Sequence, residues 1–275
     1  MFERLFQYLP KPNLQSYLPI QFHHDQIGWV YRDNLPVLSH FPQIFNINPD
    51  KVLFTEQFLK SSFEIRNSLL AEFSLFLKKN QIIQNWRDEA YGIYYPNSDL
   101  KNALFTIERG VAPFLGFRVF GVHINGYQYS QNHQQIEKLW IAKRSKLKFI
   151  EPHKLDNLAA GGLSYGENPL ETAQREAMEE AEVPALLTEK LQFISRFNYL
   201  TEHANTIRNE CIFMFDLPLP QEFTPVINDG EVEDFYHLSP KEVEIALLDG
   251  NQFKPNSGLV TLQFLLRKNL TSFNF

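Results

Sequence analysis

The stretch AAGGLSYGENPLETAQREAMEEAEV, Ala159 to Val183, decides how this chain is read. It opens on a double glycine, crosses a polar turn and enters a segment with Pro169 early and glutamates crowded late. Proline is tolerated in the first turn of a helix, so a helix is expected from Leu170 to about Ala181, with Glu167 or Asn168 near its cap. On that helix Glu176, Glu179 and Glu180 stand at i, i+3 and i+4, which puts three carboxylates on one face. Leu170, Ala173, Ala177 and Ala181 form a neighbouring stripe whose small residues let the helix approach a sheet closely. The expectation is a helix clamped along one face and acidic on the other.

Each like-charged pair at i, i+4 costs an isolated helix about 0.2–0.5 kcal/mol, so a compensating cation is expected. Hard divalent ions such as Mg²⁺ take oxygen ligands and are commonly held by carboxylates together with substrate phosphates. A diphosphate substrate is therefore implied. Gly161 and Gly162, lacking a Cβ, let the backbone come close to metal or phosphate. Arg175 is placed to orient a carboxylate, and Glu167 is the obvious candidate.

The stretch resembles the Nudix box, carried here by Gly161, Glu167, Arg175, Glu176, Ala177, Glu179, Glu180 and Val183. Glu182 stands where the family has glycine, and Ala177 is small for its apolar slot; the first departure concerns the turn that ends the helix. The resemblance implies an α+β Nudix fold, a mixed β-sheet sandwiched between helices, that binds Mg²⁺ or Mn²⁺. It also implies a metal site of Glu176, Glu179 and Glu180 with the Gly161 backbone, and catalytic roles for those glutamates, Arg175 and Glu167. Flanking stretches at 27–30, 86–91, 108–127, 139–148, 155–167, 228–239 and 253–269 resemble the Nudix branch related to thiamine pyrophosphokinase. That branch implies a small α/β N-terminal domain, here 1–110, before a Nudix domain, 111–275. It implies a diphosphatase acting on oxidised or deaminated thiamine diphosphate analogues such as oxothiamine and oxythiamine diphosphate. The general base is then a box glutamate or a glutamate of the loop DGEVED, with Glu231 preferred and Glu233 competing.

Composition agrees with such an enzyme without specifying it. In 275 residues, 44% are apolar, enough to bury a core, and 25 phenylalanines supply large packing units. The net charge of −6 disfavours a general nucleic-acid surface, which needs clustered Lys and Arg. The single cysteine, Cys211 in an apolar setting, excludes an internal disulfide and points to a reducing compartment. The start, MFERLFQYLPKPN, has charge and proline where a signal peptide needs an apolar run, and no run approaches the roughly 18 apolar residues of a membrane span. A soluble, cytoplasmic protein without nucleic-acid or membrane partners is expected, with a homodimer left open.

The spacing of Leu59, Phe63, Leu70, Phe73 and Leu77 predicts one amphipathic helix from Thr55 to about Lys79. Strands are expected at 117–130, 136–145, 190–201 and 206–217, and helices from Ser239 to Gly250 and from Gly258 to Lys268. Substrate contacts are sought at Arg144, whose guanidinium suits phosphate, and at His123, Asn125 and Tyr127, which alternate on one strand face and would line a ring pocket. Asn157 is a further candidate. His23 and His24 point opposite ways on a strand and make a poor metal site. Three other readings compete: a Nudix hydrolase of ADP-ribose or another nucleoside diphosphate, a non-catalytic Nudix binding module, and an isomerase needing a reactive cysteine.

Overall fold

The phenylalanine surplus gathers first in the amino-terminal third of the computed structural model, which describes residues 11–271 apart from 133 and 229. The start at 1–10, read as no signal peptide, lies outside the described residues. Phe22, Phe41, Phe45, Phe54, Phe58 and Phe73 join Phe105, Phe114 and Phe117 in one buried cluster. Around it the chain forms β1 (Tyr17–Phe22), β2 (Asp25–Tyr31), α1 (Leu35–Ser39), β3 (Phe45–Ile47) and β4 (Val52–Phe54). These strands make a four-stranded sheet in the order β2-β1-β4-β3. Next come α2 (Glu56–Lys60), α3 (Phe63–Lys79) and the antiparallel pair β5 (Ala90–Ile93) and β6 (Phe105–Glu108).

The single helix expected from Thr55 to Lys79 is two helices. Thr55 Oγ1 accepts the Phe58 N–H at 3.1 Å and Ser62 Oγ accepts the Ile65 N–H at 3.4 Å, so each hydroxyl starts a helix of its own. Ser61 and Ser62 between them are extended, and the apolar spacing simply continues across the break.

The second part is β7 (Arg118–Tyr129), β8 (Ile136–Arg144), β9 (Leu155–Asp156), β10 (Ala159–Gly162), α4 (Pro169–Ala181), α5 (Ala185–Thr188), β11 (Gln192–His203), β12 (Thr206–Leu219), β13 (Val232–Leu238), α6 (Pro240–Leu248) and α7 (Pro255–Arg267). The sheet runs β11-β12-β7-β8-β13, mixed because β7 and β12 are parallel. Strand β13 falls where the sequence suggested a loop: Phe235 and Tyr236 pair with Ala142 and Ile141 of β8. One edge of β7 serves two partners. Residues 126–129 pair with β8, whereas 121–124 pair with β10. Strand β8 meanwhile turns to β9 at Ala142 and Lys143. This exchange parts the sheet where the glycine loop and α4 sit.

Alternation along β7 assigns the layers. Val122 and Ile124 meet Ala173, Ala177 and Ala181 of α4 on one face. Tyr127 meets Phe264 of α7 on the other, beside Val243 and Ala246 of α6. Cys211 is buried in the α4-side core, a packing role. Among the described residues no helix is long and apolar enough to cross a membrane.

Helix α4 ends at Glu182, with φ 48° and ψ 36°, and Val183 N–H then reaches back to the Ala177 carbonyl at 3.1 Å. The box glycine is thus replaced by a residue that still adopts the left-handed turn. That conformation costs an L-residue about 1–2 kcal/mol, which glycine avoids apart from its larger unfolded-state entropy. Glu182→Gly is therefore expected to stabilise by about 1 kcal/mol, raising the melting temperature by about 2–4 °C with unchanged turnover. A lowered melting temperature would show that the Glu182 side chain itself holds the turn.

Candidate functional site

Helix α4 begins with Asn168, whose Oδ1 accepts the Leu170 and Glu171 N–H groups at 3.0 Å each, and Pro169 occupies the first turn. Just ahead, Glu167 receives a guanidinium fork: Arg175 Nε to Oε1 at 2.9 Å and Nη2 to Oε2 at 3.1 Å. The same arginine places Nη1 2.8 Å from Glu176 Oε1 and 2.9 Å from Glu179 Oε2. Arg175 therefore ties the loop before the helix to two of the helix glutamates.

The three glutamates do not form a solvent face. Glu176 and Glu180 are buried with Ala173, Ala177 and Ala181, while the Glu179 side chain is 54% exposed. At about 100° per residue, 180 and 176 follow directly to one side of the alanine stripe, so the acidic face adjoins the clamped face and is buried with it. The close approach is made possible by glycine. A Cβ on Gly161 would stand 1.9 Å from Glu176 Cδ, and one on Gly162 would stand 1.5 Å from Tyr91 Oη. Glu180 Oε2 accepts the Ala160 N–H at 2.8 Å, so both buried carboxylates lean on β10.

Burial, and then the Glu176 charge, push the Glu180 carboxyl well above the ordinary range against the pull of Lys148. Burial likewise raises Glu176, opposed by Arg175. Lys148 is held below its ordinary value by burial, with Glu180 pulling the other way. Ionising both carboxyls in this buried setting therefore calls for more positive charge than their neighbours supply. Lys148 stands in for a cation, with Nζ 3.9 Å from Glu180 Oε1 and bonded to Glu231. Hard oxygen donors, a shortfall of positive charge and a glycine cradle fit a divalent metal held by Glu176 and Glu180. Among the described residues no three acidic, His or Cys side chains stand ready-made as a ligand group, and Glu179 is turned outward to Arg175.

Gly161, Arg175, Glu176, Glu179 and Lys148 line a cleft of about 610 Å³, whereas the buried Glu180 is not among its lining residues. Glu231 lines the cleft, whereas Glu233 does not and is turned to Lys143 at 2.6 Å and His153 at 3.1 Å. Arg144 also lines it, but its fork is committed: Nη1 to Asp156 at 2.8 Å, Nη2 to the Ile150 carbonyl at 2.8 Å and Nε to the Glu151 carbonyl at 3.0 Å. His123 reaches the cleft. Asn125, Tyr127 and Asn157 do not line it, contrary to expectation, because their strand face is covered by α7: Tyr127 packs on Phe264 and Asn157 bonds Thr261. His23 and His24 form an exposed turn between β1 and β2. The sequence reading assigned nothing to Arg87, Glu89, Tyr91 and Arg109, which bring the N-terminal part to the cleft wall. Their only signal was membership of the flanking stretches.

A buried chain of hydrogen bonds sets the state of His123. Asp216, fully buried, accepts two bonds from Arg267 at 2.9 and 3.0 Å and one from Asn125 Nδ2 at 3.1 Å. Asn125 Oδ1 then accepts from Asn157 Nδ2 at 3.0 Å, which also donates to Thr261 Oγ1 at 2.9 Å. Asn157 therefore turns Oδ1 toward His123 Nδ1, 2.7 Å away, and Nδ1 carries the proton. Nε2 is left as a lone pair. Burial, and then the Lys254 charge, push the imidazole pKa from 6.5 to about 4, against Asp156, Asn157 and Glu210. The unfolded ring takes a proton from about pH 6.5 downward and the folded ring only near 4, so stability present above 6.5 is lost as pH falls toward 4. The difference is about 3 kcal/mol. Denaturation of wild type and His123→Gln at pH 7 and pH 4.5 reads it: the wild type should lose more, and parallel losses would refute the buried neutral ring.

A layered mixed sheet, with a glycine strand pressed on buried helix glutamates beside a charged cleft, defines a hydrolase of the pyrophosphatase class. The NUDIX domain family matches residues 124–257, and a domain of unknown function, DUF4743, matches residues 2–119. The chain is 30% identical over 257 residues to Nudix hydrolase 24, chloroplastic, of Arabidopsis thaliana, covering 94% of this chain and 69% of that protein. It is 30% identical over 263 residues to Nudix hydrolase 20, chloroplastic, of the same plant, covering 92% and 68%. The crystal structure of DR0079 from Deinococcus radiodurans is similar with a TM-score of 0.49 and 20% identity, over 64% of this chain and 98% of that one. The protein belongs to the Nudix hydrolase family.

Proposed function

We propose that this protein is a divalent-metal-dependent diphosphatase that releases phosphate from a diphosphate ester, and that its substrates are oxidised or deaminated analogues of thiamine diphosphate. The observation that carries the diphosphatase reading is the pair Glu176 and Glu180, buried against β10 where their ionised forms want a further cation, with Glu176 lining a cleft that also presents guanidinium groups. A bound Mg²⁺ or Mn²⁺, held by Glu176 and Glu180 with Glu179 and the Gly161 backbone nearby, would neutralise the diphosphate and acidify the attacking water. Arg175 holds Glu167 and so keeps the loop between β10 and α4 closed on the helix. Glu231, paired with Lys148, takes the water proton as phosphate leaves. His123 Nε2 accepts a hydrogen bond from the organic part of the substrate.

The resemblance to the thiamine-linked branch supports the analogues as substrates. Two of the stretches that carry it, 108–127 and 228–239, bring Arg109, His123 and Glu231 to the cleft. Phosphate release with Mg²⁺ from oxythiamine diphosphate, thiamine diphosphate and ADP-ribose, side by side, tests the proposal. Faster release from oxythiamine diphosphate is expected. Preference for ADP-ribose would replace the substrate but keep the chemistry, and metal binding without release from any would favour a binding module.

A further inference from the structure

We propose that Arg87 and Arg109, which lie in the domain of unknown function, form the clamp for the substrate's phosphate groups, so that the hydrolytic site is shared between the two parts of the chain. The inference rests on the diphosphatase reading and deepens it. Arg144, the arginine that spacing alone nominated, has each guanidinium nitrogen bonded to protein. Arg87 and Arg109 come to the same cleft from the N-terminal part and keep N–H groups that bond nothing among the described residues.

Arg109 is held in place from two sides. Nη1 donates to Glu89 Oε2 at 2.7 Å, and the guanidinium lies 5.6 Å from the centre of the Tyr91 ring. Both supports are anchored to the glycine loop: Ser164 Oγ donates to Glu89 Oε1 at 2.7 Å, and Tyr91 Oη occupies the space that a side chain on Gly162 would fill. The other Arg109 N–H groups make no hydrogen bond among the described residues, and the charge is within electrostatic reach of Glu176. Glu108 closes the wall. Its carboxylate accepts the backbone N–H groups of Arg87 at 2.8 Å, Glu89 at 3.3 Å and Gly110 at 3.1 Å, which binds the two arginine-bearing segments together.

The Arg87 guanidinium makes no hydrogen bond or ion pair among the described residues, although it lines the cleft with Arg109 and Arg144. Burial, and then the Arg109 charge, hold it below its ordinary pKa. Glu89 supplies one carboxylate to these two guanidinium groups, bonded to Arg109 and acting on Arg87, so one positive charge is left unmatched and the two cations still repel. A phosphate seated between them removes that repulsion and matches their planar donor forks. The same phosphate then lies across the cleft from Glu176, where the anhydride bond must be presented.

The test uses the full chain and methylenediphosphonate, which has no hydrolysable bridge and no organic group, titrated calorimetrically with Mg²⁺ present. Arg87→Gln and Arg109→Gln should each weaken its binding by about tenfold to a hundredfold. KM for the hydrolysed diphosphate should rise by a similar factor, and Arg109→Lys should recover only part of the loss. Unchanged binding and KM in folded variants would overturn the clamp, as would a wild type that fails to bind the probe. Should Arg109→Gln unfold, Arg87→Gln decides, because removing an unpaired guanidinium leaves the wall intact. A wild type that binds the probe yet hydrolyses no diphosphate would sink the proposed activity while the two variants still judge the clamp.

Discussion

Glu180→Gln is expected to lower turnover about a thousandfold, equivalent to about 4 kcal/mol of barrier, while the chain stays folded. The substitution preserves shape. The glutamine Oε1 still accepts the Ala160 N–H that Glu180 now receives at 2.8 Å, so β10 and α4 keep their junction. What is lost is one of two buried charges able to hold a divalent cation. Stability should move the other way. Because burial raises the Glu180 pKa, the folded chain binds a proton that the unfolded chain releases, and stability contributed by that proton is lost as pH rises above the ordinary carboxylate range. The substituted amide does not titrate, so without metal the variant should melt above the wild type at alkaline pH. Added Mg²⁺ should raise the wild type's melting temperature more than the variant's. Phosphate release and metal-dependent melting check both halves; a wild-type rate would remove Glu180 from the reaction.

Gly161→Ala carries the second large effect. The added Cβ would stand 1.9 Å from Glu176 Cδ, far inside contact distance, and the obstructing group is a buried carboxylate already held by Arg175. Either the carboxylate leaves its place or β10 separates from α4. Overpacking of this kind costs about 1–3 kcal/mol of stability, and displacement of a catalytic group by an ångström costs about a hundredfold in rate. Melting temperature and turnover should therefore fall together. Full activity would mean that the Glu176 position is not needed.

Much of the site was legible locally. The Arg175 to Glu167 fork, the Asn168 cap and the i, i+4 relation of Glu176 and Glu180 all lie within one helix and the turn before it, where backbone geometry alone settles which side chains meet. The strands around the box were legible through their alternation, and so was the layered order. Failures came where local signals agree for two structures. Apolar spacing ran through Ser61 and Ser62 although two hydroxyl caps divide the helix, and the charged segment at 228–239 concealed β13, an edge strand that pairs with β8 on one side only.

Sequence by itself determined the box, its helix and the family, because those rest on spacing within a few turns of chain. Only the tertiary structure decided which residues face the cleft. Arg144 is claimed by Asp156 once β8 and β9 pair, and Asn125 and Asn157 are taken into the buried chain that ends on His123 when α7 covers their face. Arg87 and Arg109 reach the cleft through Glu89 and Ser164, which are 75 positions apart and meet only when the N-terminal part packs against the glycine loop. A side chain's partners at such separations depend on where whole elements dock, and hydrophobic packing that does the docking leaves no mark on the spacing of the polar residues it brings together.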